Sequence, residues 1–171
     1  MTVAEVLTDC FNRVHQELRA VLDGIDPPAL TMRLDAQANT VAWLAWHVAR
    51  VQDDHLASTA GTEQVWMSLG FFERFGLPFA PEAHGYGQGP SDVAAVVVGA
   101  ELLLEYLDAV HHATSAYVNT LADADLGRVV DDSYDPAVTL GVRLVSVVSD
   151  NLQHVGQAAY LRGLAERRSL R

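Results

Sequence analysis

Apolar side chains recur at helical spacing from the start of the chain. Val3, Val6, Leu7, Cys10, Val14, Leu18, Val21 and Leu22 fall on one side of a helix over residues 3 to 24, with polar residues on the other side. Gly24 and the pair Pro27-Pro28 stop it. A second helix is predicted over about 40 to 59. Asn39 is its N-cap, Val41, Ala45, Val48, Gln52 and Leu56 trace its mostly apolar side, and Gly61 ends it. The pattern then weakens. TEQVWMSLGFFERF reads as a short helical piece that passes into GLPFAPEAHGYGQGP, where glycine and proline mark a long loop. Loops of that length inside compact domains are usually functional or mobile. Ser91 caps a third helix, about 92 to 121, on which Glu101, Glu105, Asp108, His112 and Asn119 form a solvated stripe. DADLGRVVDDSYDP is a second loop, and Asp135 followed by Pro136 is the predicted start of a fourth helix running to about 166. No segment carries a convincing strand alternation. The expected fold is all-α: a four-helix bundle with a long loop between helices two and three, forming a single domain over residues 1–171.

Composition narrows the partners. Half of the 171 residues are hydrophobic and 19% are charged, which is globular. The formal net charge of −11 repels a phosphate backbone and an anionic membrane surface, so no nucleic acid and no membrane is expected as a partner. No apolar run is long enough to span a bilayer, and MTVAEVLTDCFNRVHQ lacks the apolar region of a signal peptide. All eleven basic residues are arginine, so no lysine amine is present to form a Schiff base; such avoidance also suits GC-rich coding. The single cysteine, Cys10, cannot form an intrachain disulfide, and a cytoplasmic location is the natural expectation.

Two polar interruptions of apolar helices carry the candidate chemistry. In SDNLQHVGQ, Asp150 and His154 are four residues apart and share one helix face, extended by Gln157. A carboxylate and an imidazole so placed can hold one cation. The same stripe, with Arg143, Ser146 and Gln153, also reads as an exposed face. In WLAWHVARVQDDHL, His47 sits at the border of the apolar side among Trp43, Leu44 and Val51, where a packed histidine is the commoner case and a metal ligand the rarer one. Facing helices of a bundle build metal sites from inward side chains. His47 with Asp150 and His154 would supply two imidazoles and a carboxylate, leaving positions open for water or substrate.

These residues also carry a resemblance. TVAWLAWHVARVQDDH, the Trp-bearing segment after it and SDNLQHVGQAAYLRG resemble the DinB/YfiT-like family, which includes mycothiol-dependent maleylpyruvate isomerases and bacillithiol transferases. The resemblance spans about residues 5 to 165. It implies a four-helix bundle, often a homodimer, with three histidines around a divalent metal. His47 fits the family's xLxWH pattern, and His154, Gly156 and Gln157 fit its HxxxHxGQ pattern. Asp150 stands where the family has the first of those two histidines. That departure keeps a 2-His-1-carboxylate set, or marks a site that has been given up. The metal set His47, Asp150 and His154 suits zinc, nickel, iron(II) or manganese. The resemblance implies a metal-dependent enzyme acting on a small-molecule substrate: a thiol transferase using a cofactor such as mycothiol, or a metal-assisted hydrolase. Asp54 and Gln157 are the candidate catalytic residues that position the nucleophile. The contrasting expectation is a non-catalytic, dimeric metal- or small-ligand-binding bundle.

The remaining candidates have plain structural readings beside functional ones. Asp54 is a metal-supporting carboxylate or a solvated one; Arg50 and Arg162 recognise a carboxylate or form surface ion pairs. His15, His55 and His111 read as packed histidines, and Cys10 as a buried inert thiol. In HGYGQG, His84 or Tyr86 closes over the metal site as a lid, or the segment is a surface connection.

Overall fold

The computed structural model describes residues 2–169. Four long helices, α1 (Val3–Leu22), α3 (Val41–Ala60), α7 (Ala100–Val118) and α8 (Leu140–Ser169), form the bundle. Both α1 and α3 pack against α7 and α8, so α1 and α3 stand on one diagonal and α7 and α8 on the other. Short helices α2 (Pro27–Thr31), α4 (Val65–Ser68), α5 (Phe71–Phe75) and α6 (Pro90–Ala95) lie in the connections. No helix among the described residues is long and apolar enough to cross a membrane.

Local chemistry sets the helix ends. Thr2 and Glu5 form a reciprocal capping box at the start of α1. Thr40 caps α3 by accepting from the Trp43 amide at 3.0 Å, so the cap is one residue later than Asn39. The expected short helical piece is two helices, because Gly70 takes φ +69°, a left-handed conformation that breaks the run. The expected third helix is likewise interrupted between α6 and α7, across residues 96 to 99. Pro90 occupies the first turn of α6, and the Gly89 amide donates to Asp92, so Ser91 lies inside the helix instead of capping it.

The second loop is more ordered than the sequence suggests. Residues Val129–Asp131 (β1) and Val138–Thr139 (β2) pair antiparallel, and α8 begins only at Leu140. The Asp135-Pro136 bond is cis and belongs to this hairpin, not to a helix start. β-branched residues on both strands and the Arg143–Asp131 ion pair at 2.8 Å favour the hairpin over an earlier helix.

α3 is buried on nearly every side, because the chain from α4 to α6 covers the flank that the other long helices leave open. One apolar cluster surrounds Trp46, Trp66, Phe71, Phe75 and Tyr106; a second, around Phe11, Val51, Leu140 and Leu144, sits beneath the hairpin end. Between α3, α7 and α8 runs a buried polar ladder. Asn151 Nδ2 donates to Gln52 Oε1 at 2.9 Å, and Gln52 Nε2 donates to Thr114 Oγ1 at 2.7 Å. These two bonds form in one register only, and they fix how α8 lies against α3. Asn151 therefore faces the core, and the neighbouring Asp150 and His154 turn toward His47.

Candidate metal centre

Trp43, His47 and Arg50 share one face of α3, at spacings of four and three. All three donate hydrogen bonds to the segment 81–88. Trp43 Nε1 donates to Gln88 Oε1 at 2.7 Å, and His47 Nδ1 donates to the His84 carbonyl. Arg50 donates to the carbonyls of Ala83 at 3.0 Å and Pro81 at 3.3 Å. The segment is thus a wall stapled to α3 instead of a free lid. Tyr86 is 90% exposed, and both it and His84 line the cleft.

The bond from Nδ1 to His84 puts the His47 proton on Nδ1 and leaves the Nε2 lone pair facing inward. Opposite it, α8 presents Asp150 and His154 one turn apart. His47 Nε2 lies 3.7 Å from Asp150 Oδ2, and His154 Nε2 lies 3.6 Å from Asp150 Oδ1. The two imidazole rings stand 4.8 Å apart. Gln157 Oε1 meets His154 Nδ1 at 3.0 Å, so this ring too carries its proton on the outer nitrogen. One ligand atom from each of His47, Asp150 and His154 lies within 4.8 Å of the others, an arrangement that could hold a metal ion. Asp150 Oδ2 is buried and has no hydrogen-bond partner, the condition of an acceptor shaped for a cation.

Charge within the cluster is divided unevenly. Burial is the main cause lowering the His47 pKa, which favours the neutral, ligating form. His154 is raised, chiefly by Asp150, and Asp150 is lowered, chiefly by His154. Without a cation, that pair compensates its own charge.

The cluster forms one side of a cleft of about 520 Å³, whose other walls include Trp43, Val51, His55, His84 and Val147. Gly85 closes the cleft against α3 at φ +103°, and a Cβ there would come within 2.4 Å of His47 Nδ1 and 3.0 Å of the Trp43 ring. A Gly85→Ala chain is therefore expected to push the wall off His47 and, where the cluster serves as a metal site, to weaken zinc binding about 10- to 100-fold, the usual cost of losing a partner that orients a ligating histidine. Competition against a chromogenic chelator measures this. Unchanged affinity would mean that the wall does not orient His47.

Asp54 is not among the cleft-lining residues; its Oδ1 accepts from Gln64 at 2.8 Å, and its Oδ2 lies 3.6 Å from His55 Nδ1. Gln157 touches the cluster through His154. Arg50 is neither exposed nor a surface ion pair: it is fully buried, with Asp53 beside it. Arg162 pairs with Glu166 at 2.7 Å and donates to the carbonyls of Ala20, Val21 and Asp23, closing the C-terminal end of α1. His15 and His111 stack at 4.1 Å on the α1–α7 seam, and Cys10 is partly exposed instead of buried. The parts that sequence reasoning missed are the His84 carbonyl, Gly85 and the Arg50 staple. The spacing of Trp43, His47 and Arg50 was the available signal.

Comparison with known proteins follows the same lines. The family model described as the DinB superfamily matches residues 11–158. A crystal structure of a conserved protein from Enterococcus faecalis superposes with a TM-score of 0.88 at 30% identity, covering 95% of this chain and 96% of that one. No curated protein matches the chain.

Proposed function

The chain belongs to the DinB superfamily, and on that premise we propose that it is a metal-dependent enzyme acting on a small molecule, with His47, Asp150 and His154 as its metal ligands. The observation that carries this reading is the convergence of two inward imidazole nitrogens on a carboxylate whose buried Oδ2 lacks any other partner. Two imidazoles and one carboxylate suit zinc, nickel, iron(II) or manganese and leave coordination positions for a substrate. A divalent ion held there supplies Lewis-acid chemistry, stabilising an anionic nucleophile or a polarised substrate oxygen. His84, through its carbonyl, and Gln157 hold the two imidazoles in their ligating tautomers. Asp54 acts on His55 at the far side of the cleft. Trp43 and the stapled wall exclude water from His47, which leaves a nucleophile held beside it less hydrated and more reactive.

The reaction class we favour is transfer of a low-molecular-weight thiol, of the mycothiol type, to an electrophile; metal-assisted hydrolysis uses the same residues. One observation favours a non-catalytic alternative: Asp150 is already compensated by His154 in the absence of a cation. Titration of chelator-treated protein with zinc, nickel, iron(II) and manganese, followed by elemental mass spectrometry, tests the metal on which the enzyme reading depends. One equivalent retained through gel filtration supports the enzyme reading, and none overturns it.

The same reading includes a homodimer in the cytoplasm. Val142, Val145, Leu152 and Tyr160 are exposed along α8, joined by Ser149 and Gly156 at spacings of three and four. No exposed residue of α8 between 142 and 160 is charged, so two chains of net charge −11 could meet there without direct repulsion. Sedimentation is expected to give twice the chain mass for the wild type and the monomer mass for Leu152→Asp. Equal masses for both would exclude this face.

A further inference from the structure

Four of the seven histidines line one cleft: His47, His154, His55 and His84. The first two belong to the proposed metal set, which leaves a pair without a role. His84 is held from behind, since its own carbonyl accepts from His47 and the preceding carbonyl from Arg50. Its ring lines the cleft, and its inner nitrogen Nδ1 is buried with no hydrogen-bond partner. His55 lies two turns along α3 from His47, with its ring centre 6.1 Å from that of His84 and the two planes tilted by 46°. Among the described residues the pair belongs to no group of three that could hold a metal ion. Trp43, Val51 and Val147 line the same cleft with apolar surface. Charges acting on the pair are mixed: Asp54 beside His55, Arg143 reaching it from α8 and itself paired with Asp131, and Asp150 with His47 on the cluster side. With a divalent ion between two imidazoles and one carboxylate, the cluster carries a net positive charge and favours an anion.

We propose that His55 and His84 form a second subsite of this cleft, which hydrogen-bonds the oxyanion of a small molecule, a carboxylate or a phosphate monoester, while the molecule's apolar body packs on Trp43, Val51 and Val147. This subsite names the substrate class and rests on the reading of the cleft as an enzyme site.

Protein labelled in its histidine rings, in zinc-loaded and chelator-treated forms, is titrated at constant pH with benzoate, phenyl phosphate and benzyl alcohol while the ring signals are followed by NMR. Benzoate or phenyl phosphate should shift the His55 and His84 signals saturably, and the one that binds tighter identifies the oxyanion; benzyl alcohol should not. His55→Phe and His84→Phe keep the ring volume, remove the polar nitrogens and should each weaken the binding about tenfold. His84→Gln restores an amide donor and should recover part of it. A circular-dichroism melt confirms that each variant is folded. No saturable shift in either form, or unchanged binding in both Phe variants, overturns the subsite. Failure of the metal reading is distinct: zinc is not taken up, while the anion still shifts both rings in the chelator-treated protein.

Discussion

A His47→Ala chain is expected to lose stoichiometric metal binding, with zinc affinity falling by more than about 100-fold. Loss of a partner that merely orients a ligating histidine costs about 10- to 100-fold, and a ligand itself costs more. The loss should be large here because His47 is the sole member of the set on α3. Asp150 and His154 would remain as two neighbours on one helix, a grip that an exposed i, i+4 pair offers on many proteins without retaining an ion. The alanine also opens a void, since the His47 ring is 6% exposed and stacks on Trp43 at 4.7 Å. His47→Phe fills that void and separates the two effects. Both variants should come through gel filtration free of metal, whereas only the alanine variant should melt markedly earlier. Retention of one equivalent by His47→Phe would remove His47 from the ligand set and leave the cleft without its inner wall ligand.

How far the sequence carried this arrangement depends on the physical signal each part leaves. The four long helices were legible because periodicity of apolar residues is a local signal, and α1 follows it to within two residues at its end. Membership of a known family was legible from WLAWH and HVGQ. The interruption in SDNLQHVGQ was harder, since it divides among three environments that polarity alone cannot distinguish. Asn151 is fully buried in the ladder to Gln52 and Thr114, Asp150 and His154 face the cleft, and Gln153 is exposed. The hairpin before α8 was invisible because each strand is two or three residues long, too short to show alternation. Arg50 was misread for a related reason. An arginine in a helix is a surface residue by default, and what buries this one is a segment more than thirty residues distant, whose carbonyls no local pattern announces.

The second large effect is the loss of the Arg50 staple. The Arg50 guanidinium, 0% exposed, donates to Pro81 and Ala83 carbonyls, to Gln64 Oε1 at 2.9 Å and to the Tyr106 hydroxyl at 3.3 Å. It lies 5.0 Å from the Trp66 ring centre and 3.6 Å from Asp53 Oδ2. Methionine at this position fills much of the volume and supplies none of those bonds. Removing one member of a buried ion pair costs about 3–5 kcal/mol, because the other charge stays buried without its partner. For a chain of this size that corresponds to a melting temperature lower by about 6–20 °C. Asp53 sets the pH dependence. Its pKa is already raised, chiefly by burial, although the Val65 and Trp66 amides and the Tyr106 hydroxyl bond to it. Without Arg50 it rises further. A carboxyl whose folded pKa exceeds its unfolded one binds more protons when folded, so the variant should regain stability relative to wild type as pH falls from 7 toward 5. An added Asp53→Asn substitution should recover part of the loss at pH 7 and flatten that pH dependence, which a double-mutant cycle of denaturant midpoints measures. The staple also reaches the metal set, since the carbonyls it holds lie one and three residues before the His84 carbonyl that orients His47. Arg50→Met should therefore weaken zinc binding with all three proposed ligands intact. A variant that melts early yet binds zinc as tightly as wild type would confine Arg50 to the core and leave the orientation of His47 to Gly85 and Trp43.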